Sequence, residues 1–422
     1  MFTTFYEVER FFDSRKSLGI KPGLDRVNRL LSLLDHPQKK IKAIHIAGTN
    51  GKGSTVNFIN KALQANGYQV GIFTSPSLTG LAGHIYINDT EISKEEFLNL
   101  CNVIYPKIKQ MDKENLAPTE FEIITALGFL YFSTHGNIAL IEAGMGGRED
   151  TTNCFQPIIS IITNIAKDHT KFLGDTIAEI AYQKAGIIKN NAPVITGILE
   201  TDALAVIKEE VCKKETDIFR LEEDFFYKRG TGRELIWTSN QRRIETRLAM
   251  QGEHQARNAS IAFMALEKLS EIGFSISFAT AENAIANTQL AGRFELVSKD
   301  PVILLDGAHN PAGMAAFLAT VKENFPNSNK HILFAAFEDK DLETMLRQLD
   351  NKFESITLTS FHHPRAASAE KLFGLTQAEN KQLNGNWKLA VDEIKTKQSG
   401  YYFITGSLNF ISIVRNYFRL DS

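Results

Sequence analysis

The sequence predicts an α/β protein of two domains, on three observations. Apolar strand-like runs alternate with amphipathic helical segments. A glycine-rich turn joins one buried-strand run directly to a helix. The same alternation restarts after Gly292. In the first part the predicted strands are 42–47, 70–74, 138–143, 158–163 and 193–196, with helices between them, for instance at 54–66, 119–133 and 176–188. From 225 to 250 the texture changes to short, alternating, charged runs. There Ile236-Trp237-Thr238 and 243–248 predict a small antiparallel layer. A helix follows over 253–272. Strands are then predicted at 302–305, 332–337, 355–360 and 402–404. The division is placed at residues 1–295 and 296–422, within a boundary zone of 291–298.

Composition excludes several classes. Of 422 residues, 43% are apolar and 23% charged, and the net charge is −2, so no basic field favours nucleic acid as a partner. The longest apolar stretches, such as 158–165, are far shorter than a bilayer span, so no membrane partner is expected. Residues 1–10 carry Glu7 and Glu9 and lack the apolar core of a signal peptide. Cys101, Cys154 and Cys212 are odd in number and widely spaced, which fits neither a metal motif nor a disulfide framework. A reducing, cytoplasmic setting is the expectation.

The run Ile44-His45-Ile46-Ala47 stops at Gly48-Thr49-Asn50-Gly51-Lys52-Gly53-Ser54, after which Val56, Ile59, Ala62 and Leu63 line one helical face and Gly67 suits the helix end. Strand, glycine loop and helix in that order form the context of a phosphate site. Glycines let backbone N–H groups approach phosphate oxygens, the helix N-terminus adds a partial positive charge, and Lys52 adds a full one. Ser54 or Thr55 offers a hydroxyl to Mg²⁺. The spacing departs from the strict phosphate-loop consensus, because Gly48 and Gly51 are three apart and Gly53 separates Lys52 from Ser54. The fold expected around it is a P-loop ATPase-like domain with a mostly parallel sheet, followed by a Rossmann-like α/β domain.

Other candidates stand at predicted strand ends, where open α/β sheets bind ligands. Asp168-His169 follows the strand at 158–163 and reads either as a site or as a simple turn. Gly144-Met145-Gly146-Gly147-Arg148-Glu149-Asp150 follows the strand at 138–143, and its position favours a substrate contact. In the next helix Thr176-x-x-Glu179 makes a capping box, and Ile177, Ile180, Ala181, Lys184 and Ile188 share one face. Lys184 thus lies on an apolar stripe, either as a snorkelling stem or as an amine that is paired or chemically altered. Glu122, near a helix start, is either a solvated residue or an oxygen ligand for Mg²⁺. In the second part Val302–Leu305 runs into Asp306-Gly307-Ala308-His309-Asn310-Pro311, where Asn310 caps the next helix and Pro311 takes its first position. This turn sets Asp306 and His309 at a second strand edge, and two such edges side by side form a cleft that suits closure on two substrates.

These residues resemble a known family. The loop of Lys52, Ser75-Pro76, Thr119-Glu120-Phe121-Glu122, Gly146-Gly147-Arg148-Glu149-Asp150, Asp168-His169-Thr170, Lys184-Ala185-Gly186, Gly252-Glu253-His254-Gln255-x-x-Asn258 and Asp306-Gly307-Ala308-His309-Asn310-Pro311 occur in the order seen in the folylpolyglutamate and dihydrofolate synthases of the Mur-ligase superfamily. Thr405-Gly406-Ser407 looks like the last motif. The resemblance implies an ATP-dependent amide ligase adding L-glutamate to a folate, and in some members to dihydropteroate, through an acyl phosphate. It implies that residues 48–55, with Gly48, Thr49, Asn50, Gly51, Lys52, Gly53, Ser54 and Thr55, hold the phosphates. Ser75, Glu122 and His169 would coordinate two Mg²⁺ ions, and Lys184 would be carbamylated. Asn258, Arg293 and Asp306 would contact the nucleotide, and His309 would lie near the γ-phosphate. Phe121 and the 148–153 loop, with Arg148, Asp150, Thr152 and Asn153, would approach the pterin or aminobenzoate. A monomer is the family's usual state.

Three positions depart from the family pattern: Ser77 stands for a histidine, Ala82-Gly83-His84-Ile85 for an Arg-Glu-Arg-Ile run, and Gln183 for a glutamate. The first two fall where the folate pocket is shaped. A UDP-muramyl peptide ligase would need an extra domain ahead of the loop, and the segment before Gly48 is too short for one. A nucleotide switch of the GTPase type would need an Asn-Lys-x-Asp run, which the sequence lacks. A catalytically dead folate-binding module would have no use for Ser75, Glu122, His169 and Lys184.

Overall fold

The computed structural model describes residues 1–420 apart from Leu78, Thr231 and Ser328. Its first sheet has eight strands: β1 (Ala43–Ala47), β2 (Val70–Phe73), β3 (Ile85–Ile87), β4 (Thr90–Glu91), β5 (Ile138–Glu142), β6 (Ile159–Ile162), β7 (Val194–Thr196) and β8 (Ile218–Arg220), in the order β4-β3-β2-β5-β1-β6-β7-β8. Every neighbouring pair from β2 to β8 is parallel, and β3 and β4 add an antiparallel edge. Strand β1 therefore sits between β5 and β6, and the carboxyl ends of β2, β5, β1 and β6 open side by side.

The central strands are buried on both faces, as their unbroken apolar runs demand. On one face pack the helices Lys52–Ala65, Glu253–Glu271 and Phe278–Ala286, and on the other Phe5–Lys16, Asp25–Ser32, Lys94–Lys113 and Glu120–Phe132. The expected antiparallel layer is a three-stranded sheet of β9 (Phe226–Arg229), β10 (Glu234–Thr238) and β11 (Arg243–Arg247), whose Trp237 is fully buried against Phe263. The second sheet comprises β12 (Glu295–Lys299), β13 (Val302–Leu305), β14 (Lys330–Phe334), β15 (Ser355–Leu358), β16 (Lys381–Leu383) and β17 (Tyr401–Thr405), ordered β12-β13-β17-β14-β15-β16 and parallel except for β12. Among the described residues no helix is long and apolar enough to cross a membrane.

Among the element boundaries that differ from the sequence expectation, two near the loops of interest have a clear physical reason. The helix predicted at 54–66 begins at Lys52, because Gly51 takes a left-handed φ of 82° and caps it. The helix predicted at 176–188 ends at Ala185. There the Gln183 carbonyl accepts the Arg148 N–H at 2.6 Å, and a Cβ on Gly186 would lie 2.2 Å from the Arg148 backbone. Docking of the 144–153 loop thus cuts the helix short.

Candidate active site between the two domains

The phosphate loop is held by the end of the neighbouring strand. Thr163 Oγ1 donates to the Asn50 carbonyl at 2.6 Å, Asn164 Oδ1 accepts the Asn50 N–H at 2.8 Å, and Thr49 Oγ1 donates to the Ala166 carbonyl at 3.0 Å. A Cβ on Gly48 would fall 1.9 Å from Thr163 Oγ1, and one on Gly51 would fall 2.4 Å from Asn258 Oδ1. Close approach, not flexibility alone, demands glycine at both positions. Asn258 is therefore packed against the loop. Lys52 Nζ donates back to the Gly48 carbonyl at 3.0 Å, so its ammonium curls over the loop it serves. Ser54 and Thr55 are buried in the first helical turn, and Thr55 Oγ1 has no hydrogen-bond partner among the described residues.

The carboxylate beside Lys52 is not the one expected. Glu122 is fully buried elsewhere: its side chain caps its own helix through the Thr119 N–H at 2.7 Å and pairs with Arg26 at 3.0 Å. Oε2 takes the hydrogen bonds while Oε1 has only the Arg26 ion pair, which together fix Glu120–Phe132 against the amino-terminal helices, and the expectation of a metal-ligating Glu122 is corrected. Glu142, the last residue of β5, stands in its place. It lies 4.0 Å from Lys52 Nζ and beside the Ser75 backbone, and it accepts the Thr74 hydroxyl at 2.8 Å. Burial pushes its carboxyl above the ordinary range, opposed by Lys52, Thr74 and Arg293. A desolvated carboxylate next to the loop, a neighbouring Ser75 and a buried hydroxyl without a partner on Thr55 are oxygen donors of the kind Mg²⁺ takes. Glu142 had a signal in the sequence: an acid closing an otherwise apolar strand, Ile138-Ala139-Leu140-Ile141-Glu142.

Lys184 is 3% exposed, and no hydrogen bond or ion pair engages its amine among the described residues. Burial, reinforced by Lys52, lowers its pKa to about 7 despite the charges of Asp168 and Asp150. The amine on the apolar stripe is thus buried rather than snorkelling.

Across the cleft, the Asp306–Pro311 turn leaves β13. Asp306 accepts the Phe294 and Ala308 N–H groups at 3.0 and 2.9 Å. Arg293 lies against Gly307, and burial lowers its pKa while Asp306 and Glu142 oppose the shift. Asn310 caps its helix at Gly313 and also exchanges side-chain hydrogen bonds with Asn50 at 3.0 and 3.1 Å, so this cap touches the phosphate loop itself. Asp168 accepts from Asn310 at 3.0 Å and from Lys340 at 2.6 Å. His169 Nε2 lies 3.4 Å from Lys340 Nζ, and His309 Nε2 lies 3.8 Å from Asp168. Burial followed by the Lys340 charge lowers both imidazoles to about 4. Burial alone would raise Asp168, but Lys340 and His169 hold it below the usual carboxylate range. Lys340 was missed by sequence reasoning. It sits in Glu338-Asp339-Lys340-Asp341, a charge run indistinguishable from a solvated loop.

The 148–153 loop is built inward. Arg148 pairs with Glu210 at 2.8 Å and lies 4.0 Å from the centre of the Tyr182 ring, which occupies its guanidinium. Asn153 donates to the Arg148 and Gly186 carbonyls, and Thr152 and Asp150 bond each other. Where substrate contacts were expected, Arg148 and Thr152 spend their polar groups within the loop and its neighbours, and Asn153 donates inward while its Oδ1 has no hydrogen-bond partner among the described residues. Phe121 packs with Phe73 and His84, whose ring centres lie 5.9 and 6.1 Å away. His84, at the departure from the family pattern, donates from Nδ1 to the Thr74 carbonyl at 2.7 Å.

Known proteins resemble this chain in sequence and fold. The Mur ligase middle domain matches residues 46–266 and the Mur ligase glutamate ligase domain matches residues 292–407. The chain is 37% identical to the dihydrofolate synthase/folylpolyglutamate synthase of Bacillus subtilis, over 98% of this chain and 99% of that one. It is 32% identical to the folylpolyglutamate synthase of Lacticaseibacillus casei, over 92% and 93% of the two chains. Among solved structures, a folylpolyglutamate synthase from Thermotoga maritima superimposes with a TM-score of 0.85 at 31% identity, covering 99% of this chain and 97% of that one. One from Mycobacterium tuberculosis, solved with ADP and AMPPCP, gives 0.88 at 28% identity, covering 98% of both. With two Mur ligase domains in order and full-length likeness to these enzymes, the chain belongs to the folylpolyglutamate and dihydrofolate synthase family of Mur ligases.

Proposed function

We propose that this protein uses ATP to join L-glutamate to the carboxylate of a folate and of dihydropteroate, releasing ADP and phosphate. The observation that carries the reading is the meeting of the phosphate loop with the Asp306–Pro311 turn, bridged by Asn50–Asn310 and Asp168–Lys340. A γ-phosphoryl group held over Lys52 would face His309 and Lys340 from the other domain. That geometry suits transfer to an acceptor carboxylate, followed by attack of the glutamate amine on the acyl phosphate. Lys52 and the loop amides would neutralise charge on the phosphoryl oxygens, where such transfer depends on positioning and electrostatics. Lys340 would give the closed cleft a buried cation for a phosphate or a substrate carboxylate. Closure would exclude the water that hydrolyses an acyl phosphate.

Ser75, Glu142 and His169, with Ser54 and Thr55, would hold two Mg²⁺ ions, which supply charge neutralisation at the phosphates when bound. Lys184, with a pKa of about 7, is poised to carry a carbamate, because a neutral buried amine adds CO₂ readily. Asn258, Arg293 and Asp306 would flank the nucleotide, and Phe121 with His84 would form a wall for the acceptor ring. We place the division between the domains ahead of Glu295 rather than after it, since β12 (Glu295–Lys299) belongs wholly to the second sheet. The chain would act as a cytoplasmic monomer.

The test is phosphate release with ATP, Mg²⁺ and glutamate, comparing dihydropteroate and tetrahydrofolate as acceptors side by side. Stimulation by both is expected. Stimulation by neither would sink the ligase reading, and stimulation by one alone would narrow it.

A further inference from the structure

His45 occupies the middle of β1 between Ile44 and Ile46, and it is completely buried with its ring 5.0 Å from Phe155. An aliphatic residue would suit that strand better. Burial lowers the imidazole pKa to about 3, so the ring is neutral. One ring nitrogen has a partner: Nε2 lies 2.9 Å from Thr152 Oγ1. The other, Nδ1, is buried with no hydrogen-bond partner among the described residues, which is costly for a polar group taken out of water. A side chain kept at such a cost is kept for the contact it does make.

The direction of that contact follows from its neighbours. Thr152 donates its single hydroxyl proton to Asp150 Oδ1 at 2.6 Å, and the Thr152 N–H reaches the same oxygen at 3.0 Å. Asp150 Oδ2 accepts the Met145 N–H at 2.7 Å. Every one of these bonds runs toward the carboxylate, so Thr152 Oγ1 has only lone pairs left for His45. His45 must donate from Nε2, which makes Nδ1 the bare nitrogen and accounts for its missing partner. The chain His45→Thr152→Asp150←Met145 thus closes the turn after β5 from inside the sheet.

That turn in turn seats the helix bearing Lys184. The Arg148 N–H reaches the Gln183 carbonyl at 2.6 Å, and a Cβ on Gly147 would lie 3.0 Å from the Lys184 carbonyl. Asp150 is also close enough to Lys184 to act on its charge.

We propose that His45 is a positioning residue: by donating to Thr152 it locks Asp150 and the 144–153 turn, and so sets the Lys184 end of the cleft for the acceptor. The inference deepens the ligase reading above and rests on it for its kinetic arm only. It assigns no chemistry to His45, which touches neither substrate nor nucleotide.

The test uses three variants of the full chain. His45→Leu removes the donor, His45→Gln restores an amide donor near the Nε2 position, and Thr152→Val deletes the hydroxyl at constant shape. Backbone hydrogen exchange needs no activity and is read first. His45→Leu and Thr152→Val should speed exchange at the Met145 and Thr152 amides at least tenfold, with Ile44 and Ile46 unchanged, and His45→Gln should restore most of the protection. In turnover, His45→Leu should lower kcat/KM for the acceptor about tenfold or more, leave the KM for ATP within twofold, and recover in His45→Gln. Should the leucine variant not fold, Thr152→Val reads the same link. Equal exchange in wild type and Thr152→Val, or equal defects in His45→Leu and His45→Gln, would overturn the proposal. Loss of protection in a protein whose wild type shows no glutamate-dependent phosphate release would instead uphold the lock and remove the ligase reading.

Discussion

The two strand-end turns that face each other across the cleft are built on opposite plans. The turn after β1 is anchored within its own domain: Thr163, Asn164 and Ala166 from the end of β6 hold Thr49 and Asn50. The turn after β13 is anchored to its own domain by Asp306, but its next polar groups reach outward, His309 toward Asp168 and Asn310 toward Asn50 and Asp168. The first is preorganised whether or not the domains meet. The second draws part of its polar partners from the other domain. Binding of a triphosphate therefore belongs to the first domain, whereas assembly of the reacting groups belongs to the pair. Substitutions that touch the two turns should separate these roles.

The largest effect is expected at the preorganised turn. Lys52→Ala removes the one full positive charge held over the loop and should lower kcat by about 10²–10³, the scale for deleting one electrostatic stabiliser. ATP affinity should fall too, in an isolated first domain as well as in the whole chain, if that domain folds alone. Retained nucleotide binding in Lys52→Ala, measured by calorimetry, would break the assignment of triphosphate binding to this turn.

Lys184 comes next, because it lies behind the first turn but serves the assembled site. Lys184→Ala should lower turnover by about 10²-fold, and short carboxylic acids should restore part of it by filling the space of a carbamate. A pH signature goes with it. Before it is carbamylated, the amine titrates near 7 in the folded chain and near its ordinary value when unfolded, so the signature is read in CO₂-free buffer. Between those values the unfolded chain binds the extra proton, so Lys184 makes stability rise with pH by on the order of 1.4 kcal/mol per unit, levelling off below the folded pKa. Replacing it with methionine should flatten that rise and raise the denaturation midpoint most at neutral pH and below. A parallel pH profile in both proteins would mean that the amine is not buried and neutral.

The outward-reaching turn predicts a smaller, different loss. Lys340→Ala unpairs Asp168, and a charged hydrogen bond of this kind is worth about 1.5–3 kcal/mol, or about 10- to 100-fold. The loss should fall on kcat and the KM for glutamate while ATP binding stays within about twofold. An equal loss in ATP affinity would erase the distinction between the two turns.

That distinction also explains what the sequence made legible. The β1 turn could be read because its meaning is local: strand, glycines, lysine and helix follow each other in the chain. Asn310 and Pro311 could be read as a cap for the same reason. Glu122 misled because a capping glutamate and a metal-binding glutamate look alike at a helix start, and only Arg26, ninety-six residues away, decides between them. Lys340 and Glu142 stayed hidden because their partners lie in other strands or the other domain. The same holds for Arg148, whose guanidinium is taken up by Glu210 on a later helix. Local signals fixed the elements, and long-range pairing decided which charges face the cleft.

The smallest effect tests whether the outward turn is steered from its far end. The helix Pro311–Asn324 begins at that turn and carries Glu323 in its last turn, where Arg229 of the β9 strand bonds it at 3.0 Å. Arg229 also contacts Glu253 of the first domain at 3.3 Å, so it ties the lever to the domain it must close upon. The pair is only partly buried, and such pairs contribute about 0.2–1 kcal/mol. Arg229→Ala should therefore raise the KM for glutamate by no more than about fivefold, with kcat at saturation nearly unchanged. Raising ionic strength from 0.15 to 1 M shortens the screening length from about 8 to about 3 Å, and the wild type should then approach the variant. The exchange Arg229→Glu with Glu323→Arg should recover part of the loss at low salt. If the variant and the wild type match at low salt, the helix is held by its apolar face alone, with Met314, Phe317 and Val321 fixing it in the second domain's core, and the outward turn is set entirely by Asp168 and Lys340.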